Sequence, residues 1–313
     1  MEPYLLRLGQ RLVSGLAGMP PEAKARHRQF ILSKQNPDGG FSGREGGSDL
    51  YYTGFAVRGL SLLGGMEGSE CTRLAEYLAS QSRAQLTVID LVSWLYSSLM
   101  VQTWSGTDVL AGFATDWPTR LAAIFESFRT QDGGYAKTHE GAAGSTYHSF
   151  LITTCYELIG QSQPHPKRLI QFVYDRQRED GGFVEIAPMK RSGTNPSAAA
   201  VAILKILGGL DEELKADILA FLQDVRSTEG GFQANSRVPF ADSLSTFTGL
   251  LTLQDLNGPS LISTAALNGF INQLESPDGG FRGALWDQGT DVEYTFYALG
   301  VRGLAGLGGA GAT

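Results

Sequence analysis

Two carboxylates stand two residues apart, Asp291 and Glu293, in the run Asp291-Val292-Glu293-Tyr294-Thr295 that opens an apolar stretch near the C-terminus. Helical neighbours two apart point in different directions, so the pair cannot face one target together. An Asp at a helix start is a favoured N-cap, worth roughly 1 kcal/mol. If Asp291 caps, Glu293 or Tyr294 is left to face whatever the helix lines. A carboxyl facing an apolar space loses its hydration, its pKa rises and it stays protonated near neutral pH, as a general acid requires. The helix N-terminus opposes this by about 0.3 to 1 kcal/mol, roughly half a pKa unit, whereas burial can supply several units. Asp49, Asp90 and Asp242 also precede apolar runs, and the capping reading applies to each of them.

Other candidates are sparser. Tyr51 and Tyr52 follow Asp49, and Tyr147 and His148 open another apolar run in the segment STYHSF. All four could line an internal cavity, although a lone His is more often a hydrogen-bonded structural residue. Lys190, Arg191 and Arg237 lie in loops and either form an anion pocket or are solvated charges. Cys71 and Cys155 have no metal-site spacing and read as small core residues. No phosphate-binding glycine loop, nucleophile elbow or metal cluster is present.

The elements that must position these residues repeat. The segments QNPDGGFSGREGGSDLYYTGFAVRGLSLLG from Gln35 and ESPDGGFRGALWDQGTDVEYTFYALGVRGLAGLG from Glu275 share a Gly-Gly turn, an aromatic residue, a polar loop, an Asp and a Thr four residues on. The first glycines of such turns are Gly39, Gly133, Gly181, Gly230 and Gly279, at intervals of 94, 48, 49 and 49 residues. The first interval is double, so one copy has lost its glycines. A Gln precedes each turn (Gln35, Gln131, Gln177, Gln223, Gln273), and Gln81 stands where the missing copy needs one. Six repeats of about 48 residues follow, the mark of stacked supersecondary units.

Each repeat holds two helical stretches. The one before the turn has a wet face (Lys24, Arg26, Arg28 and Lys34 in the first copy), and the one after it is apolar nearly all round (Phe55, Val57, Leu60, Leu62, Leu63). This predicts twelve helices, six inside and six outside, in one domain spanning 1–313. The period leaves open whether the hairpins stack as an open superhelix or close into a ring. Small residues such as Ala198 to Ala200 on the inner helices favour tight curvature.

Composition narrows the class. Hydrophobic content of 42% with 18% charged residues fits a globular core, and a net charge of -7 without a basic face disfavours nucleic acid. No apolar run reaches the roughly 18 residues of a membrane helix, and MEPYLLRLGQ lacks the features of a secretory signal. A cytoplasmic location is expected.

The recurring Gln-x-x-Asp-Gly-Gly-aromatic turn resembles the prenyltransferase and squalene-cyclase repeat over nearly the whole chain, and six copies look most like the β subunit of the protein prenyltransferases. The resemblance implies an all-α, α6-α6 barrel in which six inner helices surround an apolar funnel for an isoprenoid chain. It also implies a zinc site built from an Asp and a Cys in the fifth repeat and a His in the sixth. Here those positions are Asp242, Leu244 and Tyr294, and only the Asp is a metal ligand. No metal or other cofactor is therefore expected. The resemblance also implies a diphosphate site built from a His in the fourth repeat and an Arg, a Lys and a Tyr in the fifth; here the fourth-repeat loop has no His but carries Lys190 and Arg191, and the fifth carries Arg237, three cations that could form an anion pocket. The cyclase branch protonates isoprenoid double bonds with an Asp-x-Asp-Asp-Thr motif whose third residue is the acid, and Glu293 holds that place in DVEYT.

Three functions are compatible with these readings. The first is a zinc-free isoprenoid-handling protein with a prenyl chain, or another apolar small molecule, in its funnel. The second is a proton-initiated terpene cyclase using Glu293. The third is a non-catalytic binding or scaffold barrel paired with a helical partner, as prenyltransferase β subunits pair with α subunits.

Overall fold

The computed structural model describes residues 2–81, 86–112 and 116–308. Twelve of its α-helices form six hairpins, each an outer helix followed by an inner one: α2 (Pro21–Leu32) with α3 (Leu50–Leu62), α4 (Gly68–Gln81) with α5 (Val88–Ser105), and α6 (Trp117–Glu126) with α7 (Thr146–Leu158). The series continues with α8 (Pro166–Tyr174) and α9 (Thr194–Leu207), α10 (Glu212–Asp224) and α11 (Ser243–Asp255), and α12 (Thr264–Leu274) and α13 (Val292–Gly308). The inside-outside division follows the polarity of the sequence: α2 buries only His27 and Ile31, whereas α3 buries most of its length from Leu50 to Leu62.

The ring is closed. Each inner helix packs on the next, and α13 packs on α3. The Gly-Gly turns show how the register is kept. Gly39, Gly133, Gly181, Gly230 and Gly279 have φ between +83° and +97°, a region that favours glycine. A Cβ at each would stand 2.0 to 3.0 Å from the backbone oxygen of Arg73, Arg168, Asp217, Ala266 and Arg26 in turn. Four of those carbonyls belong to the outer helix of the following repeat. The fifth belongs to α2 of the first repeat, so the same contact that joins neighbours also joins the ends.

After each turn comes a fully buried aromatic ring, Phe41, Tyr135, Phe183, Phe232 or Phe281. Its amide donates to a hydroxyl in the first turns of the inner helix that follows: Thr53, Ser149, Ser197, Thr246 and Thr295, at 2.9 to 3.1 Å. The Thr that recurs four residues after the Asp is thus a structural acceptor for a buried donor.

Several expectations need correction. A further helix, α1 (Tyr4–Gly15), precedes the six hairpins and makes thirteen among the described residues. The recurring Gln is in register only twice: Gln35 and Gln177 bridge to their aromatic residues, but Arg129, Arg226 and Glu275 hold that place elsewhere. The position selects a side chain that reaches the turn rather than an amide as such, since Gln35 Nε2 and Arg129 Nη1 both donate to the carbonyl of the first glycine. In the second repeat the cap of α5 is Thr87, whose Oγ1 accepts from the Asp90 amide and donates to Asp90 Oδ2 at 2.7 Å, so Asp90 is the reciprocal partner and not the cap. The expected compressed turn from Gln81 to Asp90 includes residues 82–85, which lie outside the described residues. The two-residue strands β1 (Phe281–Arg282) and β2 (Thr290–Asp291) pair antiparallel and are the longest ladder among the described residues.

Candidate functional site

The inner helices run the same way, and their first turns are stitched together at one end of the ring. The amides of Thr146, Thr194 and Ser243 donate to the carbonyls of Glu185, Ala234 and Gly283 in the loops of the next repeats. The opposite end is crossed by α1, which packs on α13, α3 and α7. Its Tyr4 hydroxyl donates to Asp255 Oδ2 at 2.5 Å, and Arg11 and Lys205 pair with Asp255 Oδ1 at 3.1 and 2.9 Å. These contacts hold a helix whose Leu5, Leu8 and Leu12 face the interior.

Between the two ends lies a cavity of about 930 Å³, within the usual size range of small-molecule sites. Tyr51 and Phe55 of α3, Tyr96 of α5, Tyr147 and Phe150 of α7, Phe247 of α11, and Phe296 and Tyr297 of α13 give it an aromatic wall. On the α9 side Ala198, Ala199 and Ala202 line it instead. The small residues there leave volume for a ligand, whereas sequence analysis assigned Ala198 to Ala200 to tight curvature.

Glu293 lines this cavity. It lies in the first turn of α13, where the Asp291 side chain accepts from the Tyr294 amide at 2.9 Å. The two acids separate as their spacing requires: Asp291 is drawn back against the backbone and Glu293 faces inward. Tyr51 Oη donates to Glu293 Oε1 at 2.7 Å, and Oε2 has no hydrogen-bond partner among the described residues. Burial is the largest influence and the Asp291 charge adds to it, so the Glu293 pKa rises to about 7 despite the Tyr51 hydrogen bond and the Arg44 charge.

Sequence analysis missed Arg44. This residue of the first repeat's loop donates from Nε to Asp291 Oδ2 at 3.1 Å and from Nη1 to Asp287 Oδ1 at 2.9 Å, with a second bond from Nη2 to Asp287 Oδ2. Its guanidinium also lies 5.6 Å from the Tyr294 ring centroid. Glu185 was missed as well. It lines the cavity, accepts from the Tyr147 amide at 3.2 Å and from the Ser145 hydroxyl, and burial raises its pKa. The only sequence signal for either is its position in a repeat loop between the turn and the inner helix.

The remaining candidates are distributed unevenly. Tyr51, Tyr147 and Arg191 join Glu293 on the cavity wall. Lys190 and Arg237 are exposed in their loops and do not line it. Tyr52 and Tyr294 also lie off the cavity, their rings packed against Gly43 and Gly283. His148 bonds through Nδ1 to Ser145 Oγ at 2.7 Å, and burial lowers its pKa to about 4, so it is neutral. Asp242 caps α11, accepting from the Ser245 amide and hydroxyl, both at 2.7 Å. A zinc ion does not fit the resemblance-implied positions: Asp242 is committed to Ser245, Leu244 presents hydrocarbon to the cavity, and Tyr294 is packed beneath Arg44. Among the described residues no three His, Cys, Asp or Glu side chains converge on one point. No described helix is long and apolar enough to cross a membrane.

The comparisons agree with this architecture. The chain resembles Candida albicans protein geranylgeranyltransferase-I complexed with GGPP, at 15% identity over 88% of this chain and 89% of that one, with a TM-score of 0.67. A variant of the type II terpene cyclase MstE from Scytonema, in complex with geranylgeranyl dihydroxybenzoate, aligns at 13% identity over 96% and 98% of the two chains, with a TM-score of 0.60. The GH76A alpha-1,6-mannanase from Salegentibacter sp. HEL1_6 aligns at 10% identity over 92% and 99%, with a TM-score of 0.61. At such identities the likeness is one of fold, and the fold serves unrelated chemistries. No curated protein sequence matches the chain. The family profile of the prenyltransferase alpha-alpha toroid domain matches residues 19–92, 72–235 and 197–308, and the chain belongs to that family.

Proposed function

We propose that the cavity binds an isoprenoid chain and that Glu293 starts its cyclisation by protonating a terminal double bond. The observation that carries this reading is a carboxylic acid, neutral in a large fraction of molecules near pH 7, facing an aromatic cavity. In the proposed step the Glu293 Oε2–H bond breaks and the alkene π pair forms the new C–H bond, leaving a tertiary carbocation. The next double bond attacks that cation to form a C–C bond, and loss of a proton at the end of the sequence restores the charge balance. The hydrogen bond from Tyr51 to Oε1 stabilises the carboxylate left behind. Aromatic faces stabilise the positive charge by cation–π attraction, about 2 kcal/mol or more each when dry.

This reading is preferred to zinc-dependent transfer because the residues at the implied ligand positions do not fit a metal. It is preferred to a scaffold because the centre of the ring is open. The experiment is to incubate wild type and Glu293→Gln with polyprenyl substrates, with and without a diphosphate, and to analyse the hydrocarbon products. Cyclic product from wild type and none above background from Glu293→Gln is expected. Equal product from both proteins overturns the assignment of Glu293.

A further inference from the structure

Arg58 is a cation inside the same cavity that the proposed proton transfer does not use. It stands on α3 seven residues after Tyr51 and therefore on the same face, about 10 Å further along the helix axis at 1.5 Å per residue. It lines the cavity, and its guanidinium lies 5.3 Å from the Phe55 ring centroid and 5.1 Å from that of Tyr96. No carboxylate pairs with it and it donates no hydrogen bond to any described residue. Other arginines that are buried or partly buried find acceptors in the protein: Arg11, Arg26, Arg129, Arg176 and Arg302 each have a carboxylate within ion-pair distance, and Arg73, Arg178, Arg191 and Arg282 donate to neutral oxygens.

The cavity wall offers two further donors. The hydroxyls of Tyr147 and Tyr297, both on the cavity wall, have no acceptor among the described residues. Gly54 leaves room first for Ser93 and then for the guanidinium, since a Cβ there would stand 2.7 Å from Ser93 Oγ and 3.3 Å from Arg58 Nη1. A guanidinium presents parallel N–H groups matched to an oxyanion, and an unpaired one in apolar surroundings gains most from meeting its acceptor.

We propose that Arg58 binds the carboxylate or phosphate of an amphiphile whose hydrocarbon chain fills the aromatic cavity. The polar head then sits inside the ring and the chain extends from it toward Glu293. This rests on the cavity holding an apolar chain, but not on Glu293 being the acid.

The test is calorimetric titration of the full-length protein at pH 7 with one chain bearing three heads: farnesoic acid, farnesyl monophosphate and farnesol. At least one anion should bind wild type about tenfold or more tighter than the alcohol, and which anion wins identifies the head. Arg58→Met should bring that ratio close to one while leaving farnesol affinity within about threefold. Arg58→Lys, which keeps the charge but loses the planar fork, should retain part of the preference and serves if the Met variant does not fold. Equal binding of alcohol and anions by wild type, or full preference in both variants, overturns the proposal and leaves chain binding standing. No binding by any of the three overturns both.

Discussion

Glu293 owes its chemistry to what surrounds a single carboxyl. Because its pKa lies at about 7, the proton-donating form declines as pH rises through that value. Turnover should therefore be flat below about pH 6 and fall roughly tenfold per unit above about pH 8; a profile that rises with pH would contradict the acid role. The same shift affects stability. The folded-state pKa exceeds the unfolded value of 4.5, so the folding penalty is absent below about 4.5 and complete above about 7. Glu293→Gln, which cannot ionise, should match wild type in urea denaturation at pH 4.5 and exceed it at pH 8. At 1.36 kcal/mol per unit the gain is at most about 3 kcal/mol, reduced by the side chain's partial exposure. Asp291 and Thr295 of the same run have different work. Thr295→Val leaves the buried Phe281 amide without its acceptor and should cost about 1 to 3 kcal/mol while altering no product.

At the scale of elements, periodicity and turn chemistry identified the twelve paired helices because both leave marks in adjacent residues. The Gly-Gly turn and the apolar run after it are local signals. α1 left no such mark, since YLLRLGQRLVSG belongs to no repeat and its position depends on a carboxylate far along the chain. Asp255 is 5% exposed and holds Tyr4, Arg11 and Lys205 together. Asp255→Ala should destabilise the protein by about 2 to 4 kcal/mol, the lower end reflecting the partial exposure of Arg11 and Lys205. It should also speed proteolytic loss of the N-terminal helix. Cleavage rates equal to those of wild type would mean that the apolar face of α1 alone holds it.

At the scale of the whole molecule, closure of the ring is the feature that sequence periodicity could not decide, because the contact involved is identical between neighbours and between ends. Gly279 meets Arg26 as Gly39 meets Arg73. At the seam His27, fully buried and kept neutral with a pKa of about 4, accepts from the Gly280 amide at 3.1 Å and stacks on Phe281. Glu275 adds ion pairs to Arg26 and Arg302, both at 2.5 Å. Gly279→Ala puts a Cβ 2.6 Å from the Arg26 carbonyl oxygen, whereas Gly46 has the same φ of +95° with open space around it. Both substitutions incur the left-handed backbone cost of about 1 to 2 kcal/mol, so Gly279→Ala should be the more destabilising by the price of prising the seam apart. Equal losses would show that the seam relaxes freely. The cavity itself was legible only in part. Glu293, Tyr51, Tyr147 and Arg191 were found through a helix start or a loop charge, but Arg44 bonds across the seam to the last repeat and Arg58 packs on Tyr96 of the neighbouring inner helix, contacts that leave no mark in adjacent residues.

The most direct test of the account is turnover of a polyprenyl substrate in D₂O with mass analysis of the product. If the carboxyl of Glu293 delivers a solvent-derived proton to carbon, the cyclic product from wild type carries one non-exchangeable deuterium per ring-forming sequence, and Glu293→Gln forms none of it. A product without deuterium, or one whose formation releases diphosphate with no new C–H bond, would contradict proton-initiated chemistry in this ring.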